Sequence, residues 1–228
     1  MNSKSAKKKI QVFLGEEVGE THPIQHLKSS LADLAIFGGM IRDLTLGRPE
    51  FFNSDIDLVS SASAEEIYYA IRNYSPVRNR FGGFRFFFLG RPYDIWSLED
   101  TWAVREGYVK AVGIEDLCRT TFFTTDAAIF NIKSERFYLP RFCRQSIKRK
   151  ILDINLIHNP FPAKMAMKAV ELSVRRGFKL SPDLCEFVLR NDALLGRFTG
   201  FRGSLINHLE SNPERPFEFT RQLSLELI

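Results

Sequence analysis

The sequence predicts an α+β fold in which a mixed sheet with flanking helices is followed by a small helical module. The chain has 228 residues and is 44% hydrophobic, which is enough to build a substantial core. Up to about residue 140, short apolar runs alternate with amphipathic segments, as expected where strands and helices pack together. Beyond that point the strand signals fade and helical patterns dominate.

The first predicted unit is a strand, a glycine turn and a helix. A helix over 24–31 leads into the short apolar run 34–37, which is predicted to be a strand. Gly38 and Gly39 end this strand, and a helical segment follows through residue 46. A second strand is predicted at 56–59.

The next segments predict a helix and then a β-hairpin. Ser63 and Glu66 have the spacing of a capping box, which predicts a helix running to about residue 73. The runs 84–89 and 93–96 are rich in aromatic residues and flank Gly90-Arg91-Pro92, a pattern typical of a hairpin with its turn at those three residues.

Helices are predicted for most of the remaining chain. They cover 160–176, closed by Gly177, then a segment opened by Ser181-Pro182, and finally 205–210. We therefore expect three parts: a flexible basic arm over 1–20, an α/β domain over 21–145 and a helical, neck-like domain over 146–228.

Composition restricts the class of protein. Lys and Arg total 32 against 27 Asp and Glu, and the resulting charge of +5 favours a polyanionic or nucleotide partner. Cys118, Cys143 and Cys185 are far apart and form no C-x-x-C motif, so we expect reduced, buried thiols. No segment approaches the ~20 apolar residues of a membrane span, and we expect a cytoplasmic protein without a membrane partner.

Asp55 and Asp57 form the main candidate site. On a strand, residues two apart point to the same face, so the two carboxylates converge while Ile56 faces the other way. Paired carboxylates repel each other unless a cation lies between them, and Mg²⁺ prefers carboxylate and phosphate oxygens. A D-x-D pair alone is also common on solvated strands, so the surrounding residues decide between these interpretations.

Two further features lie close enough to belong to the same site. Gly38 and Gly39 would let a triphosphate approach backbone N–H groups, with Arg42 and Asp43 on the helix that follows. A tight turn and a surface ion pair are the alternatives. Asp94 lies on the second hairpin strand and could complete a carboxylate triad, or could face solvent at a sheet edge.

The combined pattern resembles the head of class II tRNA nucleotidyltransferases and bacterial poly(A) polymerases, within the polymerase-β-like superfamily. The matching segments are Gly38-Gly39-Met40-Ile41-Arg42-Asp43, Asp55-Ile56-Asp57-Leu58-Val59, Phe81-Gly82-Gly83 through Gly90-Arg91-Pro92-Tyr93-Asp94, Phe123-Thr124-Thr125-Asp126-Ala127, and the neck-like helix from Asn159-Pro160 to Gly177-Phe178. The resemblance covers roughly residues 31 to 182.

This resemblance implies transfer of a nucleotide from ATP or CTP, bound with two Mg²⁺ ions (or Mn²⁺), to an acceptor hydroxyl with release of pyrophosphate. Asp55, Asp57 and Asp94 would hold the metals, and Gly38, Gly39 and Arg42 the triphosphate, with Asp43 orienting Arg42. The implied acceptor is an RNA or tRNA 3′ end.

The sequence also departs from the family pattern. Thr120-Thr121-Phe122 replaces an Arg-Arg-Asp triplet, leaving Arg119 as the nearest arginine for the nucleotide. The spacing of Lys164, Lys168, Glu171 and Arg175 places all four on one face of a helix. We assign Lys168 of this face to nucleotide binding. The alternative is a solvated face whose charges form a ladder of ion pairs. The resemblance does not extend to the family's body and tail domains, so ordinary CCA addition is not expected.

Other functions remain open at the level of sequence. A toxin-like or defence-linked transferase would modify a protein or a nucleotide instead of RNA. The segment Arg80-Phe81-Gly82-Gly83-Phe84-Arg85-Phe86-Phe87 is superficially similar to an RNP1 strand, which would make the protein a non-catalytic RNA binder. We expect these phenylalanines to be sheet core instead. A scaffold that has lost catalysis is less compatible with three retained carboxylates.

Overall fold

The structure is a computed structural model that describes residues 7–10, 23–46, 55–191 and 199–219. Its helices are α1 (Pro23–Ser30), α2 (Gly39–Thr45), α3 (Ala64–Ile71), α4 (Trp102–Arg105), α5 (Arg141–Arg149), α6 (Pro162–Arg176), α7 (Pro182–Arg190) and α8 (Thr199–Ser211). Its strands are β1 (Ala35–Phe37), β2 (Ile56–Ser60), β3 (Val77–Arg78), β4 (Phe84–Phe88), β5 (Arg91–Ser97), β6 (Ile129–Asn131), β7 (Arg136–Tyr138), β8 (Ile151–Leu152) and β9 (Lys179–Leu180).

A seven-stranded sheet with the order β3-β4-β5-β2-β1-β6-β7 organises the first part of the chain. β2 and β5 pair in parallel, and the other neighbours in this sheet are antiparallel. The mixed sheet with flanking helices is therefore confirmed. The parallel pair places β5, the second hairpin strand, directly beside the strand that follows Asp55.

The hairpin turn is shorter than the sequence predicted. Arg91 and Pro92 belong to β5, and the turn consists of Leu89 and Gly90, whose φ angles are 48° and 75°. Two-residue turns with positive φ at both positions match the twist of antiparallel strands, so the pairing extends further toward the tip than Gly90-Arg91-Pro92 suggests.

The aromatic residues of β4 follow the period of a strand. Phe84 and Phe86 are 6% and 1% exposed, whereas Phe87 is 62% exposed. Phe86 stacks on Tyr93 of β5 with ring centroids 5.1 Å apart. The prediction that these phenylalanines form sheet core is confirmed for Phe84 and Phe86 and is wrong for Phe87. Arg85, between the two buried rings, lies on the opposite face.

Helix ends follow the predicted caps. The Ser63 hydroxyl accepts a hydrogen bond from the Glu66 N–H, and the Glu66 carboxylate accepts one from the Ser63 N–H. The Ser181 hydroxyl accepts from the Leu184 N–H, and Gly177 ends α6 with a φ of 66°. The last helix, α8, is longer than the predicted 205–210.

The chain divides into two compact units. One contains the described residues up to Thr121 together with Asp126–Cys143, and the other contains Phe122–Thr125 and the described residues from Arg144. Most of the predicted basic arm lies outside the described residues, but within it Lys7 Nζ is 2.6 Å from Glu135 Oε2. Among the described helices, none is long and apolar enough to cross a membrane.

The three cysteines are free and buried, as predicted. Burial raises the pKa of the Cys143 thiol and of the Cys185 thiol to about 12, so both remain protonated at neutral pH.

Candidate functional site

Three charged side chains form a row across β4, β5 and β2. Arg85 is the register partner of Asp94 in the antiparallel pair, and Asp94 is the register partner of Asp57 in the parallel pair. Register partners point to the same face of a sheet, on strands about 4.8 Å apart. Asp94 is 5% exposed and Asp57 is half-buried, so the row is partly shielded from solvent.

Arg85 bridges two of the predicted carboxylates. Its Nε donates to Asp94 Oδ1 at 2.7 Å, and its Nη2 donates both to Asp94 Oδ2 and to Asp55 Oδ2. The hydrogen bond with Asp94 is the main cause of the raised pKa of Arg85; burial opposes the rise, and the charges of Asp94, Asp55 and Asp57 add to it. The structure thus brings Asp55, Asp57 and Asp94 together around one guanidinium.

The glycine turn lies directly beside this row. Gly38 has a φ of 83°, and a Cβ added there would lie 3.7 Å from Asp57 Oδ2. The positive φ favours glycine at this position, and the close approach puts the backbone of the turn within reach of any ion or phosphate bound at Asp57. A Cβ on Gly39 would lie 3.1 Å from Arg42 Nη2, so Gly39 leaves room for the guanidinium beneath it.

Arg42 forms a buried ion cluster under the turn. Its Nε donates to Asp43 Oδ1 at 3.0 Å and its Nη1 to Asp126 Oδ1 at 2.6 Å, and all three side chains are at least nine-tenths buried. Burial lowers the pKa of Arg42, but the charges of Asp126 and Asp43 outweigh it and raise the pKa overall. Asp43 thus contacts Arg42 directly, while its role in orienting Arg42 toward a triphosphate stays a prediction.

The other two predicted nucleotide ligands, Arg119 and Lys168, follow the strands of the row in sequence. Arg119 ends a 3₁₀ helix (Ile114–Arg119), where it donates to Asp116 Oδ1 at 2.6 Å and to the Lys110 carbonyl at 2.7 Å. Lys168 lies on α6 in the second unit and is half-buried. Their roles with a nucleotide stay predictions.

Sequence reasoning missed two residues of the site. Asp126 belongs to a segment that resembles the family, but its role as the second partner of Arg42 depends on a contact between residues 84 positions apart. Strand periodicity could have placed Arg85 on the face opposite Phe84 and Phe86, but only the register of β4 with β5 places it beside Asp94.

The donor set suits a hard divalent cation. All three predicted ligands are carboxylates, the oxygen donors that Mg²⁺ prefers, and the cluster already holds a cation in the Arg85 guanidinium. Among the described residues, no three acidic, imidazole or thiol groups are already gathered closely enough to form a complete metal site.

No family model matches this chain. The CCA-adding enzyme of Geobacillus stearothermophilus is 28% identical over 186 residues, which make up 77% of this chain and 45% of that enzyme. The chain thus spans about half the length of this relative.

Solved structures share the fold. The Thermotoga maritima CCA-adding enzyme complexed with tRNA has a TM-score of 0.58 at 19% identity, covering 95% of this chain and 52% of that one. A CCA-adding enzyme in complex with CTP has a TM-score of 0.56 at 19% identity, covering 90% of this chain and 48% of that one. The chain therefore has the fold of these enzymes and resembles the head of class II tRNA nucleotidyltransferases.

Proposed function

We propose that this protein is a metal-dependent nucleotidyltransferase that transfers a nucleoside monophosphate from ATP or CTP to an acceptor hydroxyl and releases pyrophosphate. The observation that carries the proposal is the position of Asp57 and Asp94 as register partners on adjacent parallel strands, with the Gly38 backbone beside Asp57. This arrangement occurs on a fold shared with CCA-adding enzymes, one of which is known in complex with CTP.

Asp55, Asp57 and Asp94 would hold two Mg²⁺ ions, or Mn²⁺ in their place. Bound there, the metals would lower the pKa of the attacking hydroxyl and neutralise charge on the leaving pyrophosphate. Asp94 is the most deeply buried of the three, and both of its carboxylate oxygens accept hydrogen bonds from Arg85. Asp55 lies just before β2 and is more exposed, which suits a carboxylate that must turn toward an incoming ion.

The glycine turn would receive the triphosphate. Gly38 leaves space at Asp57 for phosphate oxygens, because no side chain projects there. Arg42 would act on the triphosphate from beneath this turn, held in place by Asp43 and Asp126. Arg119, which belongs to the same unit as the glycine turn, is a further proposed nucleotide ligand.

We propose that the acceptor is an RNA, with a tRNA-like 3′ end as the first candidate. Support comes from the net charge of +5 and from the exposed basic residues Lys164 and Arg175 on α6. A structural relative is complexed with tRNA. A chain that recognises RNA mainly through phosphates needs such positive charge.

The proposal is tested by incubating the purified protein with each α-labelled NTP, Mg²⁺, and either total RNA or a cell lysate. We expect label on RNA 3′ ends, most strongly with ATP or CTP. Label on a protein or a free nucleotide, with RNA unlabelled, would show the toxin-like or defence-linked activity instead. RNA binding without any incorporation would show a non-catalytic binding protein.

RNA affinity should also fall steeply with salt. If phosphate contacts dominate, the logarithm of the binding constant decreases linearly with the logarithm of salt concentration, and Lys164→Ala should reduce that slope by about one. Filter binding or fluorescence anisotropy at several KCl concentrations measures the slope. Glu171→Gln, on the same helix, is the matched control that should not reduce it. A slope unaffected by Lys164→Ala would remove α6 from the RNA interface.

A further inference from the structure

We propose that Arg85 is an internal counter-ion of the carboxylate cluster, which competes with divalent metal for Asp55 and Asp94. The inference rests on the proposed function, because it concerns the metal site assigned there. Strand β4 contributes no metal ligand to the proposed site. Through Arg85, however, it would control how tightly the site binds divalent ions.

The geometry of Arg85 is that of a specific ligand of the carboxylates. Nε and Nη2 engage both oxygens of Asp94 in a forked pair, and Nη2 also reaches Asp55. Forked guanidinium–carboxylate pairs are among the strongest hydrogen-bonded contacts in proteins. The carboxylate oxygens that Arg85 contacts belong to two of the three proposed metal ligands. The guanidinium and a metal ion would therefore compete for the same carboxylates.

Arg85 can leave without disturbing the core. Its side chain is 46% exposed, whereas its strand neighbours Phe84 and Phe86 are buried on the other face. The guanidinium can therefore rotate into water when a doubly charged ion enters. While it remains in place, its positive charge repels that ion and its hydrogen bonds hold Asp94 and Asp55 turned toward β4.

The competition predicts opposite effects on the metal-free and metal-bound protein. Without metal, loss of Arg85 leaves Asp55, Asp57 and Asp94 close together with no cation, and like charges at this distance repel. With metal, the same loss removes a competitor. Arg85→Gln should therefore lower the midpoint of thermal unfolding in EDTA and increase the rise in midpoint that Mn²⁺ produces.

Direct measurement of Mn²⁺ binding provides the test, by calorimetry and by the electron paramagnetic resonance signal of free Mn²⁺. We expect Arg85→Gln and Arg85→Ala to bind Mn²⁺ with a dissociation constant at least ~10-fold lower than the wild-type protein. Arg136→Gln is the matched control, since Arg136 is an exposed arginine on β7, at the other edge of the same sheet. It should leave the constant unchanged within about twofold, because its charge is distant and screened.

The outcomes separate the two proposals. Tighter binding in both Arg85 variants, but not in Arg136→Gln, supports the counter-ion role. Equal Mn²⁺ affinity in wild-type and Arg85 variants, or weaker affinity in the variants, overturns it and leaves the proposed transferase site standing. Absence of Mn²⁺ binding by wild-type and variants alike overturns the metal site itself, and the counter-ion role with it.

Discussion

Asp57→Asn is expected to reduce nucleotide transfer by at least ~10³-fold while the midpoint of thermal unfolding does not fall. Asparagine has nearly the same shape as aspartate but lacks the charge that would hold a divalent ion. Asp57 lies beside Asp94 on the adjacent parallel strand, so removal of its charge also reduces repulsion between carboxylates. Loss of activity without loss of stability distinguishes a metal ligand from a structural residue.

Incorporation of α-labelled nucleotide, assayed with Mg²⁺ and separately with Mn²⁺, measures the effect of Asp57→Asn. Asp100→Asn is a suitable control, because it changes the same functional group on the turn that follows β5. Near wild-type transfer by Asp57→Asn with either metal would be incompatible with the proposed mechanism. A large fall in the unfolding midpoint would instead indicate that Asp57 is part of the structural framework.

Arg42→Met should destabilise the protein by about 3–5 kcal/mol, the range for removal of one partner from a buried charge cluster. Methionine fills a similar volume but leaves Asp43 and Asp126 buried without their shared cation. Desolvation of these uncompensated carboxylates opposes folding. The expected fall in the unfolding midpoint is on the order of 10 °C for a chain of this size.

A double variant provides an internal check on the Arg42 cluster. In Arg42→Met combined with Asp126→Asn, one buried charge is removed along with the cation, so part of the lost stability should return. Chemical denaturation of both single variants and the double variant measures the coupling. A double variant whose loss equals the sum of the two single losses would show that Arg42 and Asp126 do not stabilise each other.

Local sequence signals predicted most of the secondary structure, because they depend on residues a few positions apart. The Ser63–Glu66 capping box and the αL glycine at Gly177 are both found where expected. The hairpin pattern predicted that Asp94 lies on a strand, but its place near Asp57 was implied only by the family resemblance; the parallel pairing of the two strands is seen in the structure. The metal-binding role of these residues stays a prediction.

Contacts between distant residues could not be predicted in the same way. The bond between Arg42 and Asp126 joins residues 84 positions apart, and nothing in either local segment identifies the other. Arg85 was hidden for a different reason, because its aromatic neighbours suggested a buried or RNA-stacking strand. Only the sheet register shows that its side chain faces Asp94.

The short turn between β4 and β5 leads us to expect a definite order in which the charges of the site meet as the chain folds. Arg85 and Asp94 are nine residues apart, so they can pair as soon as the hairpin forms, typically within ~1–10 μs. Asp55 is 30 residues from Arg85 and arrives only when β2 adds in parallel to β5, a non-local and slower step. We therefore expect the hairpin to present a carboxylate already paired with Arg85, so that β2 meets less electrostatic repulsion when it docks.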